Sequence, residues 1–255
     1  MTDALFLLDV QNVSDDHRFF PFGDAIKEIV LCFSRDCTES TYAVHEDMER
    51  KINIEKNNKN NKNNDNDNDD KNNDNTENNL NFTEISLPTV RSVKPFLGFS
   101  TYFAPLCFLF ENRSTLYSTV NKMWDTVWCK LNVLSGDEGT LLHVCTTFEN
   151  LLISVHPLLF LHLLKLNVQP LRIAFPWIQL AFVSFFEIDQ LLILWDRVLG
   201  FTDLTLFSLL AVSIFLSRAE PLLQCKSKEN AILILNEGSR LKVIPLLQMI
   251  LFSEK

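Results

Sequence analysis

Asp189 and Asp196 lie seven residues apart on one helical face, a spacing at which two carboxylates can share acid and base work. A place near a helix start suits Asp189 electrostatically. Asp196, inside Leu194-Trp195-Asp196-Arg197, is expected to anchor a neighbouring helix end by hydrogen bonding rather than to transfer protons. His156 and His162 are six apart with no acidic or cysteine partner beside them, so they read as capping or packing groups and not as metal ligands. Ser100 follows Gly98-Phe99 but lacks the second glycine of a nucleophile elbow. No phosphate-cradling glycine loop ending in Lys-Ser/Thr occurs, so the chain is expected to bind no nucleotide itself and to need no cofactor or metal. Six cysteines, Cys32, Cys37, Cys107, Cys129, Cys145 and Cys225, form no C-x-x-C pair; buried, reduced thiols are the expectation. Asn12, Asn81 and Asn112 each begin an Asn-x-Ser/Thr triplet, which carries no weight in a chain expected to be cytoplasmic. Gln11 reads as a polar loop residue, and Arg18 as a solvated or ion-paired loop residue.

The elements that would hold these residues are helical. The chain has 255 residues, 47% of them hydrophobic, and only 6 glycines. Asp24 is placed to cap a helix carrying Ile26, Ile29, Val30 and Phe33, and Ser114 one carrying Leu116, Val120, Met123, Trp124, Val127, Trp128 and Leu131. Leu141, Cys145, Phe148, Leu152 and Val155 mark another, and Pro157 and Pro170 suit the first turns of the next two. Ile188, Leu191, Leu192, Trp195, Val198 and Leu199 make one face of a helix ending at Gly200. Asp203 begins a helix apolar nearly all round, hence central, and Val243 to Phe252 form the last, with Pro245 in its first turn. Between Asn57 and Asn79, 13 of 23 residues are Asn and most others are charged. Such a stretch buries too little apolar area to offset its ordering entropy, so it is expected to be a disordered insertion within one domain. A net charge of −9 argues against nucleic acid or anionic membrane as the main partner. The apolar runs Leu151–Leu166 and Leu204–Leu216 are too short or too interrupted to span a bilayer, and Met1 to Val10 shows no signal peptide.

Several segments together resemble the TBC domain of Rab GTPase-activating proteins. Phe175-Pro176-Trp177-Ile178-Gln179-Leu180-Ala181-Phe182, followed by Phe186-Glu187-Ile188-Asp189-Gln190 and Leu191 to Leu199 with its Leu-Trp-Asp-Arg, is similar to the late signature of that family, a Pro-Trp helix start and then a Trp-Asp-Arg helix. Phe148–Pro170 resembles its preceding helix pair, and Gly98 to Leu106 its central Ala-Pro-Leu helix. The likeness runs from about Asp9 to Phe252, the Asn-rich stretch excepted.

The resemblance implies an all-α, multi-helix fold over 1–255 as a single domain and a GTP-bound Rab-family small GTPase as partner. It also implies a reaction in which an Arg finger neutralises charge on the γ-phosphate while a Gln finger positions the attacking water. An Arg supplied in trans is worth roughly 10³–10⁵ in rate. In the register of the family's I-x-x-D-x-x-R motif, Phe6 takes the Ile place, Asp9 the Asp and Asn12 the Arg; Pro95-Phe96-Leu97-Gly98 aligns with Y-x-Q-G, so Leu97 stands for Gln. Both catalytic tips are thus replaced, and Arg18, six residues past the first, is the candidate displaced finger. Asp9, Gly98, Pro176, Trp177, Trp195, Asp196 and Arg197 carry the structural part of the motif. Family domains have further helices before the Arg motif, so this one is expected to be shortened or N-terminally incomplete. The function expected is regulation of a Rab in vesicle trafficking, cytoplasmic and peripheral on membranes through partners, without dual-finger catalysis. The alternatives are an active GTPase activator using Arg18 and a helical scaffold unrelated to GTPases.

Overall fold

Apolar residues at helical spacing do form helices, and among the described residues there is no strand. The computed structural model describes residues 2–35, 96–133, 137–238 and 241–252; the Asn57–Asn79 stretch lies outside them. Two compact units emerge, 1–31 with 95–255, and 32–94. Of the second only Cys32–Arg35 are described, in helical conformation with Cys32 exposed. The account below concerns the first.

In chain order its helices are α1 (Thr2–Ser14), α2 (23–35, its last four residues in the second unit), α3 (Arg113–Thr126), α4 (Leu141–Val155), α5 (Pro157–Lys165) and α6 (Pro170–Gln179). Then follow α7 (Ile188–Phe201), α8 (Thr205–Ser217), α9 (Ala219–Gln224), α10 (Lys228–Asn236) and α11 (Val243–Leu251). Short 3₁₀ segments cover Phe20–Phe22, Phe99–Tyr102, Ala104–Phe108 and Trp128–Asn132. Helix α8, apolar nearly all round, is central as expected: Leu206 to Ser208 and Leu210 to Phe215 are buried, and α4, α6 and α11 pack on it. Its two buried hydroxyls are satisfied, Ser208 donating to the Val144 carbonyl at 2.7 Å and Ser213 to the Leu209 carbonyl at 2.8 Å.

Against α8 lies a cluster of aromatic rings. Trp128 sits 4.9 Å from Trp195 and 6.3 Å from Phe207, and Trp177 4.4 Å from Phe185 and 6.0 Å from Phe215. The turn after α6 forces Ala181 and Phe182 into the left-handed region, with φ of 48° and 63°, which disfavours side chains with a Cβ. Among the hydrogen bonds that hold it, the Phe182 amide donates to the Trp177 carbonyl at 2.6 Å, and the Trp195 indole to the Ala181 carbonyl at 3.0 Å. No single described helix is long and apolar enough to cross a membrane; α4 and α5 together approach that composition but are bent by 108°.

Several expected boundaries move. Asn112, not Ser114, caps α3, its side chain accepting from the Ser114 and Thr115 amides at 2.9 and 3.2 Å. The helix expected to run on to Leu131 breaks at Val127 into a 3₁₀ segment; i, i+3 spacing survives that change, so Trp128 and Leu131 stay buried. Helix α2 already includes Asp24. Helix α7 ends at Phe201, one residue past Gly200, with Thr202 taking the left-handed position. Pro176-Trp177 starts no helix: Pro176 lies inside α6, close to its end, and Pro170 occupies the first turn. A proline there forfeits only one late hydrogen bond.

Candidate functional site

The amide groups of Gly98 and Ser100 point at one buried carboxylate. Asp9 Oδ1 accepts from the Gly98 N–H at 2.5 Å and Oδ2 from the Ser100 N–H at 2.6 Å, so α1 and the 3₁₀ segment at Phe99 are joined by charge-assisted bonds. Phe6, one turn earlier on α1, places its ring 5.1 Å from that of Phe99. Gly98 has φ of 95°, a conformation that favours glycine, and a Cβ on it would fall 2.5 Å from Leu180 Cδ2, so the Leu180 side chain would have to shift as well. Thr101 donates its hydroxyl to the Gly98 carbonyl, and the Tyr102 hydroxyl donates to the Gln179 carbonyl. The Tyr102 phenol is fully enclosed and its pKa is pushed up by that burial.

A depression of about 300 Å³ opens beside this joint, with Asp9, Asn12, Arg18, Leu97, Gly98 and Thr101 among its walls. Asn12 and Leu97, which the resemblance sets at the two finger places, therefore border the same hollow, 85 residues apart in sequence. Asn12 is exposed on α1, and Leu97 is 74% exposed despite being apolar. Gln11 stands on α1 rather than in a loop, donating to Asp15 Oδ1 at 3.1 Å.

Arg18 faces the hollow with its guanidinium already engaged. Nε donates to both Asp16 oxygens at 3.1 Å, Nη2 to Oδ2 at 2.7 Å, and Nη1 to the carbonyls of Val183 and Phe186 at 3.2 Å each. The guanidinium also lies 5.1 Å from the centre of the Phe19 ring. The hydrogen bond from Arg18 holds the Asp16 carboxyl below its ordinary pKa, against a smaller opposing effect of burial. Nothing in the spacing Asp16-His17-Arg18 announced that two carbonyls some 165 residues later would complete this clamp.

The remaining candidates sit elsewhere. Trp177 and Trp195 are buried in the aromatic cluster. Asp196 and Arg197 are exposed and pair with each other at 3.5 Å, and among the described residues Asp196 bonds to no helix end, unlike the expectation. Asp189, in the first turn of α7, accepts from the Gln190 side chain at 2.9 Å and lies 3.8 Å from Lys242 Nζ; the Gln190 bond leads in lowering its pKa. Gln190, missed by sequence reasoning, is buried and also accepts from the Val243 amide at 3.1 Å, tying α7 to the start of α11. His156 caps α5 by accepting from the Leu159 amide at 3.1 Å, and His162 Nε2 lies 3.1 Å from the Cys225 carbonyl oxygen. Cys107 and Cys145 are buried thiols whose pKa burial raises to about 11; Cys37 lies outside the described residues.

Among models of protein families, that of the Rab-GTPase-TBC domain matches residues 33–223. Among curated proteins, TBC1 domain family member 19 from Homo sapiens is 35% identical over an alignment of 255 positions that covers 99% of this chain and 44% of that protein. The chain thus spans less than half the length of this relative. No solved structure matches. The matched region takes in Leu97, Gly98 and the stretch from Pro176 to Arg197, and begins after Asn12. On these findings, the chain belongs to the Rab-GTPase-TBC domain family.

Proposed function

We propose that this chain is a TBC domain that binds a GTP-loaded Rab-type GTPase and regulates it in membrane trafficking without supplying the two catalytic fingers. The observation that carries this reading is the shared hollow: Asn12 and Leu97 border one depression, next to the Asp9 carboxylate that joins their segments. The frame that would hold two fingers stands, but its tips are a short neutral amide and an aliphatic chain. Asn cannot neutralise charge developing on a γ-phosphate, and Leu cannot orient water. The GTPase would be left with its own water-positioning residue and no cation in trans.

Arg18 does not fit as a displaced finger. To reach a phosphate it would abandon Asp16 and leave the Val183 and Phe186 carbonyls without its N–H groups, a combined cost of roughly 1–2 kcal/mol for these part-buried bonds. Arg18 instead reads as a strut between the residues after α1 and the turn before α7. The scaffold reading is weakened by family membership. Single-turnover GTP hydrolysis by purified Rabs, with and without the chain, tests the proposal alongside capture of Rabs loaded with a non-hydrolysable GTP analogue. Binding without marked acceleration is the expected outcome; acceleration abolished by Arg18→Ala would restore the displaced finger.

A further inference from the structure

Away from the finger hollow, α5 turns a ridge of leucines to solvent. Leu158, Leu161 and Leu164 are 70%, 52% and 42% exposed, and Lys165 is exposed at the end of the same helix. Leu164 borders a groove whose other wall includes Arg172. Arg172 also lines an adjoining cavity of about 390 Å³, shared with Lys228 at the start of α10 and with Asn167, Gln169 and Ile232. Neither Arg172 nor Lys228 forms an ion pair among the described residues. Glu149 in the groove and Glu229 beside Lys228 are the nearest carboxylates in these walls and in sequence.

An exposed leucine ridge whose Leu164 shares a groove with Arg172, itself sharing a cavity with Lys228, suits a bilayer whose interface accepts apolar side chains and whose headgroups carry negative charge. We propose that the face formed by α5, the start of α6 and the start of α10 binds anionic phospholipid membranes directly. In this arrangement Leu158 and Leu161 enter the interfacial layer, and Arg172 and Lys228 take a headgroup phosphate in the cavity between them. The chain's net charge of −9 weighs against membrane binding as a property of the whole molecule. It does not describe this face, where Lys165, Arg172 and Lys228 stand against Glu149 and Glu229. Direct contact would place the domain at a bilayer independently of any GTPase, so the inference stands apart from the finger reading.

The test is co-sedimentation of the purified chain with vesicles of phosphatidylcholine alone, and with vesicles also containing phosphatidylserine or a phosphoinositide, at low and high salt. Binding to the anionic vesicles that weakens with salt is expected. Arg172→Gln with Lys228→Gln should weaken it roughly 25-fold, at about fivefold for each cation near an anionic surface. Leu158→Ser with Leu161→Ser should weaken it at both salt concentrations. All four side chains are exposed, so the variants should keep the parent's thermal transition. Inorganic phosphate added in excess should compete if the cavity holds the headgroup phosphate. Equal sedimentation with and without anionic lipid, or binding unchanged in the four-residue variant, would overturn the proposal; so would absence of vesicle binding alongside capture of an acidic peptide by the same face.

Discussion

The aromatic cluster around Trp195 and the hollow around Asp9 are both organised by hydrogen bonds to backbone, yet they leave their side chains in opposite conditions. In the cluster every large ring is enclosed, and the Trp195 indole secures a left-handed turn through the Ala181 carbonyl. At the hollow the supports are fixed with equal care, Asp9 by two amides and Arg18 by Asp16 and two carbonyls, but the residues at the rim, Asn12 and Leu97, are exposed. One region is built to be filled and the other to present. In the second, the two rim residues can therefore change while the supports beneath them persist.

The contrast should appear first in stability. Trp195→Ala and Trp177→Ala each remove a buried indole and should cost roughly 3–5 kcal/mol, measured by chemical denaturation. Unchanged stability with lost Rab binding would instead place these rings at a working surface. Gly98→Ala introduces a Cβ at positive φ against Leu180 and should cost about 1–3 kcal/mol. Asp9→Asn, which removes the charge from two hydrogen bonds, should fall in a similar range of roughly 1–3 kcal/mol.

Arg18→Ala should be milder, about 1–2 kcal/mol, and carries a pH signature. The Asp16 pKa is lowered in the folded state, chiefly by its hydrogen bond from Arg18. The stability it contributes is thus present above the unfolded carboxylate pKa, about 3.9, and is lost as pH falls through the lower folded value. Denaturation midpoints across that acid range should fall less steeply in Arg18→Ala than in the parent; parallel curves would show that the clamp does not act on Asp16. The smallest effect belongs to deletion of Asn57–Asn79, which should shift stability by less than about 1 kcal/mol because closure entropy grows slowly with loop length. A large fall in melting temperature would refute its reading as an insertion.

Much of the helical frame was legible because burial imposes a 3.6-residue period that Leu141 to Leu152 and Ile188 to Val198 display openly. Boundaries were less so. The break at Val127 is invisible to periodicity, since a 3₁₀ turn keeps Trp128 and Leu131 facing inward. Pro176 looked like a helix start because proline favours first turns, but Pro170 already held that place. At the candidate site, the register of Asp9 and Gly98 rested on family resemblance, and the hydrogen bonds between them are what unite the two segments. The Arg18 clamp and the Gln190 bridge to Val243 depend on contacts distant in sequence and left no local pattern to read.

The central claim is that a finger-holding frame survives without its tips, and single-turnover GTP hydrolysis with a GTP-loaded Rab that the chain captures tests it most directly. The parent chain should leave the intrinsic rate nearly unchanged. Asn12→Arg combined with Leu97→Gln should raise it well above either single replacement, because charge neutralisation and water placement act on one transition state. A parent chain that already accelerates hydrolysis a thousandfold or more, on the order of an Arg finger's worth, would contradict the account.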